Sequence, residues 1–181
     1  MKSLARFLMP AIVAVISSTC PATEPATQPD AGADLEHIAA KGMSISDAQC
    51  RELEIQVKQH PDDAEARAEL LGYYLVLEYD SPTARVARRE HAMWMIRNSS
   101  TDSFTGRGFC GFDPVIDPEG YAKARELWMQ QLNDAHQPLT VLSNAANFFE
   151  LHDPKEAETL LRRGMAADSK NPWWPEALAH L

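Results

Sequence analysis

The stretch that decides the fold is CRELEIQVKQHPDDAEARAELLGYYLVLEYDSPTARVARREHA, residues 50–92. It aligns without a gap onto residues 124–166, ARELWMQQLNDAHQPLTVLSNAANFFELHDPKEAETLLRRGMA, so that each partner is numbered 74 higher. The identical pairs are Arg51/Arg125, Glu52/Glu126, Leu53/Leu127, Gln56/Gln130, Leu77/Leu151, Arg88/Arg162, Arg89/Arg163 and Ala92/Ala166. An internal repeat of this length indicates stacked helical units that share one core, a class whose common task is to bind other macromolecules.

Start signals and apolar spacing divide the chain into helices. Ser46 is a capping residue, and Ser81, Asp117 and Asp153 each precede a proline that suits the first helical position. These signals predict helices over about 46–60, 64–79, 81–98, 117–132, 139–151 and 153–168. A short closing helix is expected at 176–181, seated by Trp173 and Trp174. Strand signals are absent, so the sequence predicts an all-α domain over residues 46–181.

The spacing of small and aromatic residues adds a family resemblance. Leu142-x-x-Ala145-Ala146-x-x-Phe149, followed by Ala157-x-x-x-Leu161, resembles the tetratricopeptide repeat family, and Leu71-Gly72 with Tyr74-Leu75 echoes it in the first half. The resemblance implies an α-α superhelix of about six helices plus the closing helix. One first helix of a pair is missing between Asn98 and Asp117.

The same resemblance implies a groove that binds an extended segment of a partner protein, formed here by residues 64–79 and 139–152. In the family, asparagines of the first helix line that groove, which implies roles for Asn144 and Asn147. Neither is repeated, since they align with Leu70 and Tyr73. The aromatic side chains of Tyr73, Tyr74 and Phe148 complete the expected contact set, because aromatic and amide groups suit such recognition.

The N-terminus has the pattern of an export signal over residues 1–20. Lys2 and Arg6 precede an apolar stretch at 7–16, which is too short to cross a membrane as a helix. Residues 16–20 are similar to the lipobox of bacterial lipoproteins, which implies lipidation of Cys20. Ser17 and Thr19 depart from the lipobox pattern. Ordinary cleavage into a soluble periplasmic protein therefore remains the alternative to a membrane-anchored lipoprotein.

Residues 21–45 are rich in proline, alanine and threonine, which predicts a disordered tether ahead of the folded domain. The formal net charge of −9 makes nucleic acid and anionic membrane surfaces poor partners. The expected membrane contact is limited to a lipid at Cys20. Beyond the leader only Cys50 and Cys110 remain, and an oxidising compartment would permit a disulfide between them.

The loop over residues 99–117 has four interpretations, since a loop of this length inside a compact domain is often functional. Its apolar residues can fill the space of the missing helix; they are Phe104, Phe109, Phe112, Val115 and Ile116. Gly106-Arg107-Gly108 can cradle an anion. Cys110 can act as a nucleophile beside His91 or His136, or form the disulfide with Cys50.

No motif for a cofactor or a metal ion is present, because the six histidines are scattered without paired spacing. We therefore expect a non-enzymatic adaptor of the bacterial cell envelope that binds a protein or peptide. A thiol-dependent enzyme built on Cys110 and a purely structural lipoprotein are the alternatives.

Overall fold

The computed structural model describes residues 31–106, 108–134 and 137–181. These ranges contain no β-strand, which confirms the all-α class. The α-helices are α1 (Ala31–Gly42), α2 (Asp47–Gln59), α3 (Ala64–Leu77), α4 (Pro82–Asn98), α5 (Pro118–Gln131), α6 (Leu139–Phe149), α7 (Pro154–Ala167) and α8 (Trp173–His180). A 3-10 helix, Ser103–Gly106, interrupts the loop between α4 and α5.

Most of the predicted start signals act as caps. Ser46 Oγ accepts a hydrogen bond from the Gln49 N–H, and the Gln49 side chain accepts one from the Ser46 N–H, which is a complete capping box. Ser81 caps α4 in front of Pro82. Asp153 makes no side-chain cap bond and instead pairs with Arg125 at 3.6 Å. The first half of the repeat contains α2, α3 and α4, and the second half contains the counterparts α5, α6 and α7 in the same order.

The expected disordered tether over 21–45 is wrong for residues 31–42, which form α1. Leu35 and Ala39 are buried in the main core, and α1 packs along α3. A Cβ added at Gly72 would clash with the Ala39 backbone, and one at Gly42 with the Glu69 backbone. The two helices are thus antiparallel and in backbone contact. Residues 21–30 lie outside the described residues.

The main core joins both halves of the repeat. Helix α3 packs on α4, α5 packs on α4, and α6 packs on α7. Their shared interior contains Leu71, Met95, Trp128, Phe149 and Leu160 among its fully or nearly fully buried side chains. A second, smaller cluster joins α2 to α3 through Cys50, Val57, Ala66 and Leu70. The single large core holds both halves in one body.

The loop over 99–117 packs aromatic side chains into the main core, which is the packing that one of the four interpretations predicts. Phe104 and Phe112 are buried, and Phe109 packs against the core beside Phe104. The 3-10 helix lies against α6 so closely that a Cβ at Gly106 would meet the Asn144 backbone at 2.6 Å. Val115 was expected in this plug but is 88% exposed, because the chain turns outward there before α5.

Helix α8 closes the last helix pair. Trp174 is buried against α7, where Gly164 leaves room for its ring. Trp173 packs edge to face on Trp174 with ring centroids 4.8 Å apart. The closing helix predicted from these two tryptophans is present, and it begins at Trp173 instead of Glu176.

Candidate functional site

Two adjoining grooves form the candidate site. The loop groove, of about 600 Å³, lies between the C-terminal ends of α3 and α6 over residues 106–113. The α8 groove, of about 370 Å³, lies between α6, α7 and α8. Asn147 and Glu150 line both grooves and form the ridge between them. Helices α3 and α6 were the expected groove helices, and both contribute to the loop groove.

The loop groove has an apolar part. Leu75 of α3, Phe112 of the loop, and Phe148 and Leu151 at the end of α6 line it. Leu151 is 82% exposed, and Phe148 is buried by stacking on Tyr121 of α5 with ring centroids 5.5 Å apart. An exposed leucine beside aromatic rings offers apolar area that an incoming side chain can cover.

The ridge supplies polar groups. The Asn147 side chain is exposed and has no hydrogen-bond partner among the described residues, and the same holds for the Glu150 carboxylate. They lie three positions apart on α6 and therefore share one helix face. An asparagine amide can donate and accept at once, so Asn147 can bond to the peptide backbone of a bound chain.

A buried ion pair fixes the wall of the loop groove. Arg88 of α4 is 2% exposed, and its Nη1 donates to Glu78 Oε2 at 2.9 Å. Its Nη2 donates to the carbonyls of Phe109 at 3.1 Å and Gly111 at 2.6 Å. Burial raises the pKa of Glu78 even with this arginine beside it. Arg88 thus anchors the loop over 99–117.

Three of the five predicted contact residues lie away from the two grooves, and Tyr73 and Tyr74 line a separate pocket between α2, α3 and α4. Asn144 is buried, and its Nδ2 donates to the carbonyls of Ser100 at 2.9 Å and Asp102 at 2.7 Å, so it holds the loop. Tyr73 donates to Asp47 at 2.7 Å. Tyr74 donates to Glu54. Asn147 and Phe148 are the two that line the grooves.

Tyr74 belongs to a polar network between α2, α3 and α4. Glu54 Oε1 accepts from the Tyr74 hydroxyl at 2.7 Å and lies 3.1 Å from His91 Nε2. Arg67 Nη1 faces His91 Nδ1 at 3.3 Å. Since the guanidinium can only donate, Nδ1 accepts and Nε2 carries the proton toward Glu54. The hydrogen bond from His91 is the main reason that the pKa of Glu54 is lowered to about 2.

The disulfide between Cys50 and Cys110 is absent, and both residues are free buried thiols. Cys50 lies in the α2–α3 cluster and Cys110 in the main core. Burial raises the pKa of Cys110 to about 12, which leaves almost no thiolate at neutral pH. His91 bonds to Glu54 and Arg67 instead of approaching this sulfur. The geometry therefore gives no support to Cys110 as a nucleophile.

Several predictions lie outside the described residues. These are the leader, the lipidation candidate Cys20, the Arg107 side chain of the anion cradle, and His136. Within the described ranges, no group of three or more metal-binding side chains occurs. In the same part of the chain, every helix is too short or too polar to cross a membrane.

The sequence did not reveal Leu151, Phe112 and Glu150 as groove residues. Leu151 is identical to Leu77 in the repeat alignment, and the alignment alone cannot tell which copy faces a groove. Comparison with family models, with curated proteins and with solved structures gives no match for this chain.

Proposed function

We propose that this protein is a tetratricopeptide-like adaptor that binds an extended segment of a partner protein along the loop groove and the α8 groove. The observation that carries the proposal is the ridge between the two grooves, where Asn147 and Glu150 are exposed and form no hydrogen bond or ion pair with the part of the chain that the structure describes. Consecutive helices that pack as α3 with α4 and α6 with α7 support a superhelical repeat.

The mode of binding follows from the groove lining. A bound segment would place an apolar side chain on Leu75, Phe112 and Leu151, while its backbone meets the Asn147 amide. The apolar contact supplies most of the affinity, because burial of exposed carbon surface is the largest favourable term in such interfaces. The amide fixes the direction and register of the segment.

Site-specific photo-crosslinking in intact cells tests this proposal with a matched control. A photoreactive amino acid at Leu151 should give a discrete adduct with a partner, because this residue lines the loop groove. The same amino acid at Leu77, the identical position of the first half, lies outside that groove. Leu77 lines a separate pocket with Tyr73 and Tyr74, and a probe there should give no adduct if the loop groove is the binding site.

In the variant Leu151→Asp, a photoreactive amino acid at a neighbouring position of the groove should no longer form an adduct with the partner. The free energy of unfolding should change by less than about 0.5 kcal/mol, as for exposed positions in general. Adducts of equal strength from positions 77 and 151, or none from either, would contradict the adaptor.

For the location, we propose export to the bacterial envelope, with Cys20 as the lipid-carrying residue. The motivating observation is the leader pattern of residues 1–20 and the lipobox-like setting of Cys20. Metabolic labelling with a fatty acid should mark the wild-type chain and not Cys20→Ala. A soluble periplasmic product without label would favour ordinary cleavage, and a chain that stays in the cytoplasm would rule out export.

A further inference from the structure

Resting on the proposed function, we infer that the segment bound across the two grooves is cationic, with lysine or arginine side chains flanking an apolar anchor. Three exposed carboxylates line the grooves. Asp113 lines the loop groove, Glu176 lines the α8 groove, and Glu150 lines both. Glu150 and Glu176 form no ion pair among the described residues.

Positive charge in the grooves does not balance these acids. Arg88 is the only arginine or lysine among the described lining residues of the two grooves, and it is buried and engaged by Glu78. The loop sequence adds Arg107, one basic residue against three carboxylates. His152 and His180 also line the grooves. The local field is therefore negative.

A negative groove selects its ligand by charge as well as by shape. A segment that presents lysine or arginine gains attraction to Glu150 and Glu176. An acidic segment or a free terminal carboxylate meets like charge there, and Arg88, the one arginine among the described lining residues, is already engaged by Glu78. The apolar lining at Leu75, Phe112 and Leu151 requires one large apolar side chain between the basic ones. A cationic segment with a central leucine, methionine or phenylalanine satisfies both conditions.

The chain's own N-terminal segment is the main competing occupant. Because α1 runs antiparallel to α3, the described chain begins near the end of α3 that lines the loop groove. Residues 21–34 nevertheless carry Glu24, Asp30 and Asp34 and no basic residue. Their charge does not complement the grooves.

Selection from a random twelve-residue peptide display library on the full chain tests the inference. We expect enrichment of peptides with two or more basic residues around one large apolar residue. Synthetic peptides from the selection should bind Glu150→Lys/Glu176→Lys about tenfold more weakly than wild type, since the double variant replaces two attractive surface charges with two repulsive ones. Their affinity for wild type should also fall as salt concentration rises.

The control variant reverses the charge of two glutamates outside both grooves. Glu52 and Glu90 are exposed, line neither groove and form no ion pair among the described residues, so Glu52→Lys/Glu90→Lys changes the net charge equally. Its affinity for the selected peptides should stay within about twofold of wild type. An equal loss in both double variants would show a long-range charge effect and overturn the inference.

The remaining outcomes separate the two proposals. Enrichment of acidic, neutral or carboxylate-terminated peptides would contradict the inference that the bound segment is cationic, and it would still agree with an adaptor function. Enrichment only after deletion of residues 21–30 would identify that segment as the occupant and overturn the inference. No enrichment on the full chain or on the deletion variant would overturn the adaptor itself.

Discussion

Arg88 and Arg162 occupy the same position in the two halves of the repeat, yet only the first is buried. Arg88 donates to Glu78 and to the loop carbonyls, whereas Arg162 lies on the surface of α7 and pairs with Glu158 four residues earlier. The difference arises from what each arginine faces. Arg88 faces the loop over 99–117, and Arg162 faces solvent. Identical residues in a repeat therefore do not imply identical roles.

The helix contacts of the two halves differ in the same way. Tyr74 and Glu54 join α3 to α2 by a hydrogen bond of 2.7 Å. Their counterparts Phe148 and Trp128 join α6 to α5 by aromatic packing with ring centroids 6.3 Å apart. The first interface depends on a charge, and the second depends on apolar area. The two halves should therefore respond differently to mutation and to pH.

The largest effect is expected from Arg88→Met, which leaves the Glu78 carboxylate buried without its partner. We expect a loss of about 3–5 kcal/mol in the free energy of unfolding, measured by urea denaturation. Arg162→Met, the equivalent change in the second half, should stay within about 0.5 kcal/mol because exposed ion pairs contribute little. Adding Glu78→Leu to Arg88→Met should restore part of the loss. Equal effects at both arginines would refute the proposed contrast.

A smaller effect is expected at Gly72, where α1 and α3 touch. Gly72→Ala places a methyl group against the Ala39 backbone and should cost about 2–3 kcal/mol, as overpacking of a core does. Hydrogen exchange should show lost protection for the amides of Leu35 and Ala39 first. The equivalent residue of the second half is already Ala146. Ala146→Gly should lower the free energy of unfolding by only about 1 kcal/mol, because glycine has a lower helix propensity than alanine. A larger loss from Ala146→Gly than from Gly72→Ala would contradict the close packing of α1 on α3.

The smallest effect is expected from Glu54→Gln, at about 1–2 kcal/mol at neutral pH. The folded-state pKa of about 2 lies below the ordinary value of 4.5, so the charged form stabilises the fold above that ordinary value. This contribution is lost as the pH falls from about 4.5 toward 2.

Denaturation curves of wild type and Glu54→Gln should therefore converge in acid. Glu52→Gln, at an exposed neighbouring position, serves as the control and should change the free energy of unfolding by less than about 0.5 kcal/mol. A difference between wild type and Glu54→Gln that stays constant down to pH of about 2 would show that the charge of Glu54 is not what joins α2 to α3.

The sequence predicted helices well where local capping signals mark their starts, and poorly where such signals are missing. Capping residues and prolines located the starts of α2, α4 and α5 because those signals act within one turn. The sequence does not predict α1, because this segment has few apolar residues and follows a stretch rich in proline, alanine and threonine that is typical of a disordered tether. Its described core contacts are few, with Leu35 and Ala39 buried and Ile38 partly buried, and Gly72 on α3 allows the two backbones to touch.

The candidate site was predicted in part. Helices α3 and α6 line the loop groove, as do Asn147 and Phe148, and the family resemblance had pointed to these helices and to Asn147. Asn144 was assigned to the groove and instead holds the loop. The two asparagines are three residues apart on one helix, and only the packing of the 3-10 helix on α6 decides which of them is covered.

The sequence alone determined that the chain forms helices, where most of them begin, and that two blocks of three repeat. These properties depend on apolar periodicity and on caps, which are local. The tertiary structure decided that α1 belongs to the domain, that Arg88 is buried while Arg162 is exposed, and that the cysteines do not meet. Those outcomes depend on which distant segments share a surface, and burial of a side chain is a property of the surroundings rather than of the residue.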